Sequence, residues 1–299
     1  MEKKPIALAC RLDSERAIKL TRRIFEFLVQ KGEVVYLETR IAPKIFPHNG
    51  MDLGDMNAEN IKFIVIVGGD GSILRVANRL SQRKPPPILG VNVGSIGFLD
   101  ESNGTSIFKD LSKILNGEYT LESCSKITAY IVKNSGEIKL GNALNEVLII
   151  SSKSSKVLQI SIRIDGIFLN RSYLDGVIVS TPTGSTAYNL SAGGAIVNPN
   201  METIQITPLN SFAGSGLKPI IIPIDSEVEI QLIRPRLDAK IVIDGQQIIK
   251  GIGPNTKIRI RKANSQNQFI RFKGSYYTRL RKKIIGTVRR VPIDDSPEE

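Results

Sequence analysis

Two different hydrophobic periods divide this chain of 299 residues near residue 120. Before that point, short apolar segments such as PIALAC (5–10), KFIVIV (62–67) and ILGVNV (88–93) alternate with segments of helical spacing. After it, segments such as KITAYIVKN, VLQISIRIDG and KIVIDGQQIIKG alternate apolar with polar residues between turn-forming residues. Buried strands separated by helices indicate a covered parallel sheet, whereas successive alternating strands indicate a sandwich or a stack of sheets.

The predicted fold class is therefore an α/β domain with an open, Rossmann-like parallel sheet, followed by an all-β domain. We place the first domain at residues 1–120 and the second, β-rich domain at residues 121–274. The C-terminal segment, residues 275–299, is expected to pack back on the first domain.

Composition and charge exclude several classes of protein. No stretch reaches the roughly 18–20 apolar residues of a membrane span, so we expect no membrane association. The single histidine, His48, argues against a histidine-based zinc site or a Ser-His-Asp triad. Two widely separated cysteines, Cys10 and Cys124, predict reduced thiols in a cytoplasmic protein.

The net charge of +12 suits a polyanionic partner. Much of it lies in the segment 271–290, which interleaves basic, aromatic and aliphatic residues and could contact RNA. No nucleic-acid-binding motif accompanies this segment, so a basic, packed terminal element is the favoured interpretation and nucleic acid is not the expected partner.

The segment IVIVGGDGSIL (64–74) predicts a strand, a glycine turn and a helix, with Gly68, Gly69 and Gly71 around Asp70. Glycines let backbone N–H groups approach phosphate oxygens, and a helix N-terminus favours their negative charge. A carboxylate there would repel phosphate unless Mg²⁺ lay between them or unless it faced a hydroxyl nucleophile. Both arrangements fit phosphoryl transfer. A purely structural turn with Asp70 as the helix cap is the alternative.

A second segment, DGVIVSTPTGSTAYNLSAGGA (175–195), predicts a strand that enters a turn rich in hydroxyl groups. Such a turn offers side-chain and backbone donors to a ligand, and Tyr188 offers a flat face for a base. The structural alternative is a capping turn made of serine and threonine.

Five motifs in order make the sequence resemble the NAD kinase family over nearly its whole length. They are GGDG (68–71), GVNVGSIGFL (90–99), Asn145–Glu146, DGVIVSTPTGSTAYNLSAGG (175–194) and IDGQ (243–246). The resemblance implies transfer of a phosphoryl group from ATP or polyphosphate to the adenosine ribose 2′-hydroxyl of NAD, giving NADP. It also implies Mg²⁺ or Mn²⁺ carried by ATP rather than by protein ligands, a β-sandwich C-terminal domain of the NAD kinase type, a site between the domains, and a homodimer or homotetramer.

Carried over position by position, the resemblance makes Asp70 the catalytic acid–base residue. Asn145 and Glu146 are expected around the adenosine of NAD and Asp175 at its nicotinamide side. Arg75 and Lys156 are expected at phosphate, or are ordinary surface cations. The full set of expected NAD- or ATP-binding residues is Gly68, Gly69, Gly71, Arg75, Phe98, Asn145, Glu146, Lys156, Asp175, Thr186, Ala187, Tyr188, Asn189, Ser191 and Gln246.

Two other functions stay open at this point. Diacylglycerol-type kinases and phosphofructokinases resemble the chain in their GGDG turn, so a lipid or sugar kinase is one alternative. The other is a non-enzymatic binder of a dinucleotide, or of RNA through residues 271–290. The sequence leaves undecided the phosphoryl donor, the acceptance of NADH, and the choice between dimer and tetramer.

Overall fold

The computed structural model describes residues 3–94, 97–153, 156–211, 217–233, 238–272 and 276–281. The first part of the chain alternates strands and helices as its hydrophobic pattern predicts. Its elements are β1 (Ile6–Cys10), α1 (Glu15–Gln30), β2 (Val35–Glu38), α2 (Ala42–Ile45), β3 (Gly50–Met51), β4 (Ile64–Val67), α3 (Asp70–Arg79), β5 (Ile88–Asn92), β6 (Ser102–Asn103), α4 (Ile107–Leu115) and β7 (Thr120–Cys124).

The second part consists almost entirely of strands joined by short turns. Its elements are β8 (Ile127–Lys133), β9 (Gly136–Ala143), β10 (Glu146–Ser151), β11 (Leu158–Ile164), β12 (Ile167–Leu174), β13 (Gly176–Ser180), α5 (Tyr188–Ser191), β14 (Thr203–Leu209), β15 (Ile220–Pro223), β16 (Val228–Leu232), β17 (Ala239–Ile243), β18 (Gln247–Ile252), β19 (Lys257–Lys262), β20 (Asn267–Arg271) and α6 (Tyr276–Leu280).

The helix α1 shows how the local sequence produces these elements. The Ser14 side chain caps its N-terminus by accepting a hydrogen bond from the Ala17 N–H at 3.3 Å. A buried apolar stripe at Ala17, Leu20, Ile24 and Leu28 packs on the sheet, in agreement with the helical spacing.

The first sheet has the strand order β3-β2-β1-β4-β5-β20-β7, and β6 also pairs with β5. The strands β1, β2, β4 and β5 run parallel, and every residue of β1 and β4 is buried. Helices cover such a sheet on both faces, which is why these strands are apolar throughout. The predicted open parallel sheet is confirmed, with β7 added as an antiparallel strand.

The second part forms two six-stranded antiparallel sheets, with the orders β15-β14-β13-β10-β17-β18 and β12-β11-β16-β19-β8-β9. One apolar core fills the space between them, with contributions such as Val147, Ile160, Val179 and Ile230. The predicted β-sandwich is therefore confirmed.

The chain returns to the first sheet at its C-terminal end. The strand β20 lies between β5, to which it is parallel, and β7, to which it is antiparallel. The boundaries drawn from the sequence assign residues 267–271 to the second domain, and the strand pairing places them in the first sheet. Periodicity identifies a strand but not the sheet it joins, which is the reason for this correction.

The predicted docking of the C-terminal segment is described only for residues 276–281, and residues 282–299 lie outside the described part of the chain. The Arg279 guanidinium, in α6, donates to Glu101 at 3.3 Å and to Glu122 at 3.1 Å, both in the first domain. The Tyr276 hydroxyl, in the same helix, lies 3.4 Å from the carbonyl oxygen of Val197 in the second. This helix therefore contacts both domains.

Candidate active site

The glycine turn stands at the carboxyl end of β4, where ligands bind in open parallel sheets. The N–H of Gly68 donates to the carbonyl oxygen of Val91 at 2.9 Å, and a Cβ atom on Gly68 would lie 2.5 Å from the Ser72 hydroxyl oxygen. Gly69 is the N-cap of α3, and its carbonyl oxygen accepts a hydrogen bond from the Ser72 N–H at 2.9 Å. The close approach at Gly68 explains why this position has no side chain.

Asp70 is the first residue of α3, and a neighbouring loop fixes its carboxylate. The Phe98 N–H donates to Oδ2 of Asp70 at 2.7 Å, and the Leu99 N–H donates to Oδ1 at 3.1 Å. Asp100 shapes this loop by accepting hydrogen bonds from the Gly97 N–H and, at 2.6 Å, from Nδ2 of Asn92. The carboxylate thus has a defined orientation before any ligand binds.

A basic cleft of about 460 Å³ opens beside the turn. It is lined by Arg11, Leu12, Asp13, Arg40, Gly69, Gly71, Ser72 and Arg75. Three guanidinium groups around a helix N-terminus suit a phosphate chain.

The Arg75 guanidinium already has a carboxylate partner. It donates to the two carboxylate oxygens of Glu38 at 2.8 and 3.0 Å. Glu38 also accepts a hydrogen bond from Nε of Arg40 at 2.7 Å, and its side chain is buried. Arg75 would bind phosphate only while sharing or releasing this carboxylate.

Asn145 and Glu146 lie at the start of β10, on the side of the second domain, and both are buried. Oδ1 of Asn145 and Oε2 of Glu146 have no hydrogen-bond partner within the described parts of the chain. Burial, followed by the nearby Asp244 carboxylate, raises the pKa of Glu146 to about 8. Buried polar atoms without a partner are costly, so this pair has the character of a ligand-binding site.

The hydroxyl-rich turn packs directly on this pair. The Thr181 N–H donates to the carbonyl oxygen of Asn145 at 2.9 Å, and the chain then forms a 3₁₀ turn over Thr183–Thr186 before α5. Thr186 and Phe98 line one small cleft, so the second domain meets the Asp70 loop there. Ala187 follows the turn with its N–H donating to the carbonyl oxygen of Gly184 at 2.9 Å.

The helix α5 presents some predicted residues to solvent and buries another. Tyr188 is 43% exposed and Ser191 is also exposed. Asn189 is fully buried, and its Oδ1 accepts a hydrogen bond from the Thr207 hydroxyl at 2.6 Å, while its Nδ2 contacts the Gln205 amide. The Asn189 side chain therefore holds α5 against β14.

Three further predicted residues lie apart from this centre. Asp175 stands between β12 and β13 and accepts a hydrogen bond from Nδ2 of Asn210 at 2.8 Å. Lys156 is exposed just before β11. Gln246 is exposed and lines a second cleft together with Arg75.

This second cleft, of about 440 Å³, runs between α3 and the second domain. Polar contacts cross the boundary beside it, since Oε1 of Gln82 accepts hydrogen bonds from Nζ of Lys126 at 2.9 Å and from Nδ2 of Asn142 at 2.8 Å. Burial lowers the pKa of Lys126 to about 8. The motifs assigned no role to these residues, nor to Asn78 and Asp244 beside them, although Asp244 belongs to IDGQ. Only the Asp-Gly pair of IDGQ offered a signal.

Across the residues that the structure describes, no group of three or more histidine, cysteine, aspartate or glutamate side chains could hold a metal ion. The same residues contain no helix long and apolar enough to cross a membrane.

Comparison with known proteins agrees with the division of the chain into two domains. The profile of the ATP-NAD kinase N-terminal domain matches residues 6–119, and that of the ATP-NAD kinase C-terminal domain matches residues 144–272. The chain is 35% identical to an NAD kinase of Thermococcus gammatolerans over 272 residues, covering 91% of this chain and 95% of that protein. It is 36% identical to an NAD kinase of Methanopyrus kandleri over 280 residues, covering 94% and 97%.

Solved structures give the same result. An NAD kinase from Archaeoglobus fulgidus in complex with ATP superposes with a TM-score of 0.72 at 28% identity, covering 93% of this chain and 98% of that one. Yeast NADH kinase complexed with NADH shares the fold, with a TM-score of 0.81 at 22% identity over 100% of this chain and 90% of that one. The chain belongs to the NAD kinase family, and the resemblance drawn from its five motifs is confirmed.

Proposed function

We propose that this protein transfers the terminal phosphoryl group of ATP, or of polyphosphate, to the 2′-hydroxyl of the adenosine ribose of NAD, producing NADP. One observation carries the proposal beyond family membership. The Asp70 carboxylate is held by the loop that contains Phe98, and Phe98 lines one cleft with Thr183 and Thr186 of the second domain. The loop that orients this carboxylate therefore reaches the boundary between the domains, where a dinucleotide would bind.

In this proposal Asp70 orients the ribose hydroxyl and accepts its proton as the new phosphorus–oxygen bond forms. The backbone N–H groups of Phe98 and Leu99 fix the orientation of the carboxylate, whose oxygens are the acceptors that would bind the ribose hydroxyl. A carboxylate is a weak base at neutral pH, which is sufficient because phosphoryl transfer depends mainly on positioning and charge stabilisation.

The phosphates have cationic partners on the side of the first domain. Arg11, Arg40 and Arg75 surround the glycine turn, where Gly69 and Gly71 leave the backbone open. A divalent cation, Mg²⁺ or Mn²⁺, would enter bound to the phosphates of ATP as part of the substrate and would offset their charge beside Asp70.

The dinucleotide would be held from the second domain. Glu146 in its neutral form would donate a hydrogen bond to the adenosine, and Asn145 would accept one. Tyr188 offers an exposed aromatic face to the base. The other proposed contacts are those of Gly68, Phe98, Asp175, Thr186, Ala187, Ser191 and Gln246, with Lys156 as a peripheral cation.

The decisive experiment is a mass-resolved assay of product from purified protein, with ATP or polyphosphate as donor, NAD or NADH as acceptor, and Mg²⁺ present. We expect NADP from NAD and ATP. Asp70→Asn should lower kcat by ~10²–10⁴-fold, since loss of a general base has that effect. Asp55→Asn, an exposed aspartate of the same domain, should match the wild-type protein. NADP formation by Asp70→Asn at the wild-type rate would exclude the proposed role.

The alternatives drawn from the sequence are less well supported. Matches to both NAD kinase domains span the glycine turn and the hydroxyl-rich turn together, which a GGDG turn shared with lipid or sugar kinases does not require. Most of the basic segment 271–290, on which RNA binding would depend, lies outside the described residues. Phosphorylation of a lipid and not of NAD in the same assay would reverse this preference.

We also propose a cytoplasmic location and a homo-oligomer, a dimer or tetramer built through the edge strand β12. Both cysteines are buried, and neither forms a disulfide, as is usual where thiols stay reduced.

The strand β12 lies at the edge of its sheet, where Ile167 is 74% exposed, Phe168 51% and Leu169 39%. Such apolar exposure is unusual for an edge strand that faces water. Light scattering after size exclusion should show Ile167→Lys with a lower mass than Val29→Lys, a control on α1. Equal masses would contradict assembly through β12.

A further inference from the structure

The Asp244 side chain is a buried carboxylate that accepts four hydrogen bonds at the domain boundary. It stands in the turn between β17 and β18, where Asp244 and Gly245 take left-handed backbone conformations with φ of 50° and 65°. This turn points the carboxylate inward, and the residue is only 4% exposed.

Both oxygens of this carboxylate accept two hydrogen bonds each. Oδ1 accepts the N–H groups of Asn145 at 2.7 Å and Glu146 at 3.1 Å. Oδ2 accepts the N–H of Leu144 at 2.8 Å and Nδ2 of Asn78 at 2.8 Å. Three consecutive backbone donors and one side-chain donor therefore converge on a single anion, an arrangement in which hydrogen bonds are strong.

The four donors come from the two elements that the reaction must bring together. Asn78 lies in α3, about two turns after Asp70 at the start of the same helix. Asn145 and Glu146 carry the unpartnered side-chain oxygens of the ligand-binding pair. Asp244 binds the backbone N–H groups of Asn145 and Glu146. The side chains of these two residues therefore stay available to a ligand.

We propose that Asp244 is a positioning residue, which sets the distance and orientation between the Asp70 carboxylate and the Asn145–Glu146 pair. The inference rests on the proposed function, since it concerns the same site. Its physical basis is that catalysis by positioning is sensitive to displacement, and a misplacement of about 1 Å lowers the rate by ~10²-fold.

The substitution Asp244→Asn tests this proposal with little change in shape. Asparagine tolerates the left-handed conformation, so the turn is retained. Its amide can accept on one side only, and its NH₂ group would then face the donors of Leu144 and Asn78. The contacts of Gln82 with Lys126 and Asn142 are untouched and still join the domains.

The matched control is Asp165→Asn. Asp165 and Gly166 form the same left-handed pair, with φ of 51° and 79°, in the turn between β11 and β12. There the Asp165 carboxylate accepts a hydrogen bond from the Glu227 N–H at 2.7 Å, remote from the proposed site. The two variants therefore make the same chemical change in the same backbone conformation.

We expect Asp244→Asn to raise the KM for NAD, to lower kcat, and to reduce kcat/KM by roughly 10–100-fold relative to Asp165→Asn. Asn78→Ala removes only the donor on α3, so it should lower kcat with a smaller change in KM. The kcat/KM of the double variant should not fall below that of Asp244→Asn alone, because both substitutions break the same hydrogen bond between Asn78 and Asp244. Equal kcat and KM in Asp244→Asn and Asp165→Asn, or effects of the two site variants that multiply, would overturn the proposal.

Two measurements separate this inference from the proposed function. If the wild-type protein and Asp165→Asn form no NADP, the proposed function is wrong, and calorimetric binding of NAD then tests the positioning role alone. We expect about tenfold weaker binding by Asp244→Asn than by Asp165→Asn, and equal affinities would refute the role. If Asp244→Asn fails to fold, Asn78→Ala takes its place as the test, because this variant leaves the three backbone donors intact. A lower kcat in Asn78→Ala would support the positioning role, and an unchanged kcat would refute it.

Discussion

Replacing Gly97 with alanine should displace the Asp70 carboxylate without removing any functional group. Gly97 does not have a left-handed backbone conformation, so alanine can adopt its φ and ψ angles without strain. A Cβ atom there would lie 2.5 Å from Cγ of Asp70 and 2.7 Å from Oδ2 of Asp100, whereas ordinary van der Waals contact begins at 3.4 Å. The carboxylate or its supporting loop must therefore move by about 1 Å.

This displacement acts on hydrogen bonds that orient Asp70. The N–H groups of Phe98 and Leu99 hold its carboxylate at 2.7 and 3.1 Å, and a shift of about 1 Å cannot preserve both. We expect kcat for NADP formation to fall by ~10²-fold, with smaller changes in the KM for NAD and ATP. Overpacking should lower the free energy of unfolding by about 1–3 kcal/mol.

Gly94→Ala provides the matched control, because a Cβ atom on Gly94, in the same loop, meets nothing within 4 Å. Initial rates of NADP formation, read with an NADP-specific dehydrogenase, and urea unfolding curves should be measured for both variants. If Gly97→Ala turned over within twofold of Gly94→Ala while remaining folded, the position of the Asp70 carboxylate would not control the reaction.

Three further expectations concern stability. Gly184→Ala would put a Cβ atom 2.7 Å from the Cα atom of Asn145, and backbone cannot yield as a flexible side chain does. Urea unfolding should therefore show that the free energy of unfolding falls by at least ~3 kcal/mol. Gly54→Ala, where a Cβ atom meets nothing within 4 Å, should leave it unchanged. Burial and a neighbouring carboxylate raise the pKa of Glu146 to about 8 from 4.5, so the folded protein keeps a proton that the unfolded chain releases. Its unfolding free energy should therefore fall as the pH rises from 4.5 to 8, and Glu146→Gln should remove part of this fall; an identical pH slope would contradict the assignment. Arg271→Met removes a buried guanidinium from the half-buried carboxylates of Glu101 and Glu122, which keep that of Arg279, so chemical denaturation should show a loss of about 1–3 kcal/mol, and an unchanged free energy of unfolding would refute this.

Local sequence was sufficient for most of the fold because its elements have strong local signals. The apolar run Ile64–Val67, followed by a glycine turn, became a buried strand and a helix in the predicted positions. The alternating segments after residue 120 became the two sheets of the sandwich. Periodicity of this kind reports which face of an element is buried, so it identifies strands and helices one at a time.

The position of β20 could not be predicted in the same way. Its pairing joins Phe269 to Ile88, and no local pattern records a partner so distant along the chain. The same applies to the polar contacts at the domain boundary, where Asn78 and Asp244 are separated by 166 positions. The motifs predicted the residues that we propose as ligand contacts, whereas the groups that hold those residues in place emerge only when the strands are assembled.

The polar character of the domain boundary follows from the chemistry proposed for the site. Asp70 is a weak base, so its contribution depends mainly on where it lies. Apolar contacts are non-directional and would permit the domains to slide, whereas hydrogen bonds restrict both distance and angle. The bonds of Asp244 to Asn78 and of Lys126 to Gln82 restrict the helix that begins at Asp70 relative to the second domain. Burial lowers the pKa of Lys126 to about 8, which means that burying its charged amine lowers the stability of the folded protein. An interface with a purely structural role would not need such a group.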